Sequence, residues 1–219
     1  MKKLITLIIF MLAIPAFAWD IEASVGSTQF QKPDNGIWWQ NPFENTFDLQ
    51  SPSYSIGVSG YVYPSVRGRV AYTRLGNVTG YAIATPQDAQ YNGVDGCVGP
   101  CPVMSAFRTE GSVRGVSFTL APEWNVSPGV KVFLEGGAFV YLPKFKADVG
   151  SCTTPACAPT WFNEYREGWQ VGPQIGGGVE IDKVQLVFTL YKIDTPTPDI
   201  NATTNFKSWA ANVSLRYRF

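Results

Sequence analysis

Apolar and polar residues alternate with a period of two along most of this chain. The last stretch, FKSWAANVSLRYRF, has apolar side chains at every second position up to the terminal phenylalanine, namely Trp209, Ala211, Val213, Leu215, Tyr217 and Phe219. Such alternation is typical of a β-strand that buries only one face. A chain end of this composition is predicted to be part of the fold, since a fraying tail is usually polar or glycine-rich.

The same alternation predicts eight strands, and no segment has a competing helical period. The first predicted strand spans residues 19 to about 30 and the second about 53 to 63. The other six contain, in order, Tyr72, Phe118, Leu134, Ile175, Phe188 and Val213. Short turns alternate with long connections at about 31–52, 77–109, 143–167 and 194–205. This spacing predicts an antiparallel up-and-down meander.

Alternation alone suits a soluble β-sandwich as well as a membrane barrel. Three features favour the barrel, and the first is a polar face rich in Gly, Ser, Thr and Gln with few charges. The second is a pair of aromatic levels resembling membrane girdles: Tyr54, Tyr72, Trp169 and Trp209 at one level, and Trp19, Trp124, Tyr217 and Phe219 at the other. The third is the spacing of these levels, about 26 Å along the strand and roughly 20 Å in height at a tilt of about 40°.

The chain end resembles the assembly signal of bacterial outer-membrane barrels, in which a final aromatic residue follows alternating apolar positions. The matching residues are Val213, Leu215, Tyr217 and Phe219. The segments GWQVGPQIGGGVEI and LAPEWNVSPGVKVFLEGG are similar to the later hairpins of eight-stranded barrels of the opacity and outer-membrane-protein-A type. The resemblance implies an all-β, up-and-down, eight-stranded transmembrane barrel over residues 19–219. It also implies a bacterial outer-membrane location, with lipid, lipopolysaccharide and the barrel assembly machinery as partners.

The first 18 residues have the features of a secretory signal peptide. Lys2 and Lys3 precede an apolar run over residues 4–14, and Ala16-Phe17-Ala18 supplies a small-x-small cleavage pattern. Removing the two lysines from the 17 basic residues leaves 15, against 17 acidic ones. The exported chain is therefore nearly neutral, which gives no electrostatic support for a nucleic-acid partner.

The four cysteines lie in segments rich in Gly, Pro and Thr. They are Cys97, Cys101, Cys152 and Cys157. In an exported protein such cysteines are expected to form disulfides, and all three pairings stay open, whether within one connection or between two. With no histidine in the chain and no carboxylate cluster beside the cysteines, neither a metal site nor a cofactor is expected.

Two sets of charged residues are candidates for function. The first has the inward parity of the predicted strands and comprises Glu22, Arg69, Glu135, Glu180, Arg216 and Arg218. We expect these to form a structural charge network in the lumen, with a proton or ion path as the alternative. The second has the lipid-facing parity near the long connections and comprises Arg74, Arg114, Lys144, Lys192 and Lys207. These are hypothesised to ring the rim and bind lipopolysaccharide phosphates, or else simply to snorkel.

The composition argues against an enzyme, because the catalytic barrels of lipid A modification and surface proteolysis use a histidine and this chain has none. We expect a monomeric structural or surface-interaction protein, acting in loop-mediated adhesion or envelope integrity. Aromatic residues in the long connections either form a partner surface for an extracellular protein or glycan or only pack the connections together: Trp38, Trp39, Trp161, Phe162 and Tyr165. The alternative is a narrow channel for ions or small hydrophobic molecules, running past the inward glycines Gly172, Gly176 and Gly178.

Overall fold

A computed structural model describes residues 19–31, 44–84, 104–152, 160–194 and 207–219. They form ten strands: β1 (Asp20–Phe30), β2 (Glu44–Asp48), β3 (Gln50–Tyr63), β4 (Val66–Ala84), β5 (Met104–Ser127), β6 (Val130–Cys152), β7 (Thr160–Glu167), β8 (Gln170–Ile181), β9 (Val184–Asp194) and β10 (Lys207–Arg218). None of the described residues belongs to a helix long and apolar enough to cross a membrane. The predicted signal peptide, residues 1–18, lies outside the described residues.

The strands close into a single antiparallel barrel. Hydrogen-bonded neighbours follow the order β2-β4-β3-β1-β10-β9-β8-β6-β5, and pairing of β4 with β5 closes the circle. The short strand β2 pairs with β4 beyond the end of β3, and β7 pairs with β6 beyond the end of β8. Each of these two pairs of strands occupies one position in the barrel, so the ten strands make up eight staves, the strand positions around the barrel. The prediction of an eight-stranded up-and-down barrel is confirmed.

The chain terminus lies in the seam where the last strand meets the first. Strand β10 pairs with β1 in a continuous register that places Val25 opposite Leu215. The backbone N–H of Phe219 donates to the carbonyl oxygen of Ile21 at 2.9 Å, so the final residue contributes to closure. Closure removes the sheet edges that could not be tolerated in lipid.

The exterior of the barrel is apolar, as the alternation predicts. Leu134, Val171 and Phe188, which a β-sandwich would bury, are 61%, 69% and 47% exposed. Serines and threonines of the opposite parity are buried inside the barrel. An apolar exterior around a polar interior is the arrangement of a transmembrane β-barrel, because lipid covers the outward side chains.

Two ends of the barrel are distinguished by their connections. Short turns at residues 64–65, 128–129 and 182–183 define what we call the turn end. Ser65 and Asp182 adopt positive φ angles of 68° and 55° there, as tight hairpin turns require. The opposite end, where the long connections lie, is called the loop end below.

At the loop end three strands run further than the sequence pattern predicts. Strand β5 has 24 residues, which at about 3.4 Å per residue and a tilt of about 40° gives roughly 60 Å of height, against an apolar band of about 25 Å. Residues 77–84, 104–109 and 143–152, assigned by the pattern to connections, are strand. With β2 and β7 they form a five-stranded extension in the order β2-β4-β5-β6-β7. We call this extension, residues 44–48, 77–84, 104–112, 144–152 and 160–167, the outer wall.

Candidate functional site

The lumen of the barrel is filled by side chains in layers. A charged network occupies the turn end, small hydroxyl and amide groups occupy the middle, and an apolar cluster occupies the loop end. Because an eight-stranded barrel is just wide enough for its interior side chains to meet, the contacts between these layers decide what the lumen can do.

The part of the network nearest the turn end is centred on Arg67. Its Nε donates to Glu123 Oε1 at 2.9 Å, and its Nη1 donates to Asp20 Oδ2 at 2.9 Å. Tyr61 hydroxyl donates to the second oxygen of Glu123 at 2.7 Å, and Lys131 Nζ donates to the Tyr61 oxygen at 2.9 Å. The Arg67 guanidinium also lies 4.3 Å from the centroid of the Tyr61 ring, a cation–π contact.

The deeper part of the network joins four strands around Glu22 and Glu135. Arg69 Nε donates to Glu22 Oε2 at 2.8 Å, and Arg69 Nη1 lies 3.7 Å from Glu135 Oε1. Arg216 Nη1 donates to the other Glu135 oxygen at 3.0 Å. Ser59 hydroxyl donates to Glu22 Oε1 at 2.7 Å and accepts from Arg67 at 3.2 Å, which connects this part to the turn end.

Strands β8 and β10 complete the network through Glu180 and Arg218. The Arg218 guanidinium pairs with Glu180, and the Gln185 amide donates to the second Glu180 oxygen. Gln185 accepts in turn from Arg216 at 3.1 Å. Gln185 therefore connects the Glu135–Arg216 pair to the Glu180–Arg218 pair.

Charge in the described lumen is balanced. Every member has an ion-pair partner of opposite sign, and the members are the carboxylates Asp20, Glu22, Glu123, Glu135 and Glu180 with the cations Arg67, Arg69, Lys131, Arg216 and Arg218. Buried charges are tolerated only when paired and hydrogen-bonded, so the network forms a self-compensating unit across the barrel.

Above the network lies a layer of small polar side chains that lines a cavity. Asn212 donates through its Nδ2 to Thr28 Oγ1 at 2.9 Å and to Ser53 Oγ at 2.6 Å. The cavity is lined by Ser24, Ser55, Thr73 and Asn212, among others, and its volume is about 10 Å³. A space of this size holds about one water molecule.

An apolar cluster closes the loop end of the lumen, and we call it the plug. Phe139 is at its centre, with ring centroids 5.2 Å from Tyr141 in a stacked geometry and 5.0 Å from Tyr191 in a tilted one. The plug comprises Phe30, Leu75, Val78, Val113, Phe139, Tyr141, Tyr191, Ile193 and Ala210. Phe139 and Leu75 are 0% exposed, so water has no contact with the centre of this layer.

The inward glycines of β8 make room for neighbouring side chains. A Cβ atom at Gly178 would lie 2.9 Å from Cζ of Phe133, and one at Gly172 would lie 3.3 Å from Cε1 of Tyr141. At Gly176 it would lie 3.0 Å from Thr189 Oγ1. The space that the sequence pattern offers to a narrow path is therefore occupied by rings and a hydroxyl group.

The structure brings all six predicted lumen charges into the network described above. It adds Asp20, Arg67, Glu123 and Lys131, together with Tyr61, which sequence reasoning missed. Glu123 lies between the predicted strands that contain Phe118 and Leu134, and Arg67 lies just beyond the second predicted strand, which ends at about residue 63. Continuing the inward parity of Arg69 and Thr119 into these segments would have identified both residues.

The five predicted exterior cations belong to two groups of strands, β4–β6 and β9–β10. Arg74 on β4 lies directly opposite Arg114 on β5, and Lys144 on β6 lies opposite Ser112 on β5. Lys192 is on β9, where its Nζ lies 5.4 Å from the centroid of the Trp209 ring. Lys207 begins β10 and is in register with Asp194. The five predicted cations thus form a three-residue patch and a separate pair.

Several other sequence candidates lie where the structure gives no side-chain description. Cys97, Cys101, Cys157, Trp38 and Trp39 are outside the described residues. Cys152 is the last residue of β6, and β7 contains Trp161, Phe162 and Tyr165. Over the described ranges, no group of three or more His, Cys, Asp or Glu side chains has the arrangement of a metal site.

No family model and no curated protein matches this chain in sequence. Solved structures of similar shape include the Neisserial surface protein A, at 12% identity, covering 91% of this chain and 95% of that one with a TM-score of 0.38. The outer membrane protein OprG from Pseudomonas aeruginosa is 8% identical, with coverages of 93% and 97% and a TM-score of 0.44. Ail, the attachment invasion locus protein of Yersinia pestis, is 8% identical, with coverages of 92% and 99% and a TM-score of 0.39.

Strand pairing and the distribution of side chains in the chain itself decide its class. Eight antiparallel staves close on themselves, the lumen is polar and charge-balanced, and the exterior is apolar. These are the properties of bacterial outer-membrane barrels. The chain is an eight-stranded, up-and-down β-barrel with the side-chain distribution of a transmembrane barrel.

Proposed function

We propose that this protein is a sealed outer-membrane barrel that anchors and presents its outer wall and loops at the cell surface, as a structural or surface-interaction protein. The observation that carries the proposal is the filled lumen. A barrel that transports ions or small molecules needs a continuous path, and here the network, a one-water cavity and the plug follow one another along the axis.

The paired state of the lumen charges supports a structural role over a transport role. An ion entering from the turn end would have to separate Arg67 from Glu123 and Asp20, and then Arg69 from Glu22. Breaking a buried pair leaves an uncompensated charge, which costs about 3–5 kcal/mol. The same pairing argues against catalysis, because each buried carboxylate is already engaged by a cation.

The outer wall supports presentation at the surface. The exterior of the barrel changes from apolar to polar at Arg74 and Arg114, and Asn77, Ser112 and Glu110 follow on the same outward side. The wall therefore begins where the apolar band ends and stands in water. Strand β7 of the wall contains Trp161, Phe162 and Tyr165, aromatic residues of the kind that bind an extracellular protein or glycan.

A test of the sealed lumen is the conductance of the purified protein in planar bilayers. We expect no conductance steps above the bilayer baseline from the native chain at either polarity of the applied voltage. The F139A/Y141A variant, which opens the plug only, is expected to stay closed because the network still fills the turn end. Stable ion-selective steps from the native protein would overturn the proposal in favour of a narrow channel.

A test of presentation is tag labelling on intact cells. An epitope tag inserted between Ala84 and Met104 should be labelled from outside. The matched control is the same tag in the short turn at residues 128–129, which should be labelled only after permeabilisation. The opposite labelling pattern would contradict the proposed orientation.

A further inference from the structure

Two arginines face each other on the lipid side of the barrel. In the register of β4 and β5, Arg74 is directly opposite Arg114, and both have the outward parity of Tyr72 and Val116. Directly opposed residues have Cβ atoms about 4.5–5.5 Å apart, and like charges at such positions destabilise a sheet. The pair lies at the loop end of the apolar band, where lipid headgroups begin.

The contrast with the lumen makes this pair unusual. Each lumen arginine has a carboxylate partner, whereas neither Arg74 nor Arg114 forms an ion pair with any of the residues that the structure describes. Arg74 Nη2 donates to the neutral side-chain oxygen of Asn77 at 3.3 Å, and Arg114 is exposed. Two arginines are thus paired across adjacent strands, and no carboxylate among the described residues compensates their charge.

A third cation adjoins the pair on the next strand. Arg114 is opposite Leu142 on β6, so Lys144, two residues further, is its diagonal neighbour on the same face. Diagonal neighbours lie about 7–8 Å apart, within reach of long side chains. The patch Arg74, Arg114 and Lys144 therefore spans three adjacent strands near the loop end of the apolar band.

We propose that the Arg74–Arg114 pair binds a phosphate group of a lipid headgroup at the outer rim, with lipopolysaccharide as the source and Lys144 as a flanking contact. Guanidinium groups form bidentate, charge-assisted hydrogen bonds with phosphate oxygens, and one phosphate has enough oxygens for both arginines. The bound anion removes the repulsion that the register imposes. This site is independent of whether the lumen conducts.

The experiment compares the melting temperature of the barrel in nanodiscs of three compositions: phosphatidylcholine alone, phosphatidylcholine with phosphatidylglycerol, and phosphatidylcholine with lipid A. For the native chain we expect lipid A to raise the melting temperature by about 3 °C or more over phosphatidylcholine alone. R74Q/R114Q should lose this shift. Phosphatidylglycerol identifies the source: a smaller shift supports lipopolysaccharide, and an equal one overturns that assignment in favour of any lipid with a net negative phosphate headgroup.

Two variants separate binding from simple repulsion. R74E places a carboxylate opposite Arg114, so it should raise the melting temperature in phosphatidylcholine and abolish the response to lipid A. K192Q removes an exterior cation on β9, away from the patch on β4–β6, and should leave the response to lipid A unchanged. If R74Q/R114Q keeps the full response to lipid A, or if K192Q loses it equally, the proposed site is wrong.

Discussion

At the scale of single residues, Glu135 is the network member whose replacement is expected to destabilise the barrel most. It is buried between Arg69 and Arg216 and accepts from Thr119 as well. Replacing it in E135Q removes one negative charge and leaves two buried guanidinium groups with one fewer partner. We expect the free energy of unfolding to fall by about 3–5 kcal/mol, measured by urea unfolding in lipid micelles.

The matched double variant E135Q/R216Q restores neutrality by removing one charge of each sign. Arg69 then keeps its 2.8 Å contact with Glu22, and no buried cation lacks a carboxylate partner as a result of the change. We expect the double variant to be more stable than E135Q alone. The single variant R216Q completes the comparison. If the losses of unfolding free energy in E135Q and R216Q simply add in the double variant, the charges act independently and the account of a balanced network is wrong.

Gly76 tests the bulge that separates the barrel from the outer wall. Its φ angle is 100°, and a Cβ atom would lie 2.1 Å from Ser51 Oγ, the atom that accepts from the Asn77 backbone N–H. G76A is expected to cost more than about 1 kcal/mol of unfolding free energy, because the left-handed conformation and the contact both oppose a side chain. The control is G136A, where a Cβ meets nothing within 4 Å, and its effect on the urea midpoint should be small.

At the scale of elements, the hairpin of β9 and β10 tests how deeply each outward residue lies in lipid. Val213 is in the middle of β10, whereas Val184 is at the turn end of β9, and both are outward and exposed. V213K should lower the free energy of unfolding by about 2–4 kcal/mol, and V184K by about 0–1 kcal/mol, since the cost of a cation falls towards the interface. Unfolding in phospholipid vesicles measures both. Equal losses would mean that the two valines lie at the same depth.

The elements of the barrel were readable from the sequence because lipid imposes a strict alternation on every stave. The outer wall was not, because the apolar outward face ends at Arg74 and Arg114 and the alternation that lipid imposes ends with it. On β4 the register also shifts between Arg74 and Gly76, so outward parity passes from Arg74 to Asn77 and a period-two pattern is interrupted. The plug was missed for a related reason. Inward aromatic residues such as Phe139 and Tyr141 contribute to a uniformly apolar run, in which periodicity cannot separate the two faces.

The lumen charges also divide into a part that the sequence predicts and a part that it does not. Arg69, Glu135 and Arg216 lie within clearly alternating strands, so parity alone predicts that they point inward. Their partners are a different matter, because Arg67 and Glu123 are 56 positions apart in sequence. The register of β4 on β5, which places Arg67 opposite Ala121, brings these two residues together across a long connection.

At the scale of the whole molecule, the proposed function divides β5 into a membrane part and a water-exposed part with the same hydrogen bonding. Residues 104–110 and 114–120 are both paired with β4 or β6 on their two sides, so their amides differ mainly in what surrounds them. Because exchange needs local opening to water, amides of residues 114–120 in nanodiscs should exchange far more slowly than those of residues 104–110. Hydrogen exchange read by mass spectrometry measures both in one strand. Residues 66–74 and 79–84 of β4 give the matched comparison, and they should differ in the same sense. Equal protection throughout β5 would place the wall in the same environment as the barrel, and the surface role would lose its physical basis.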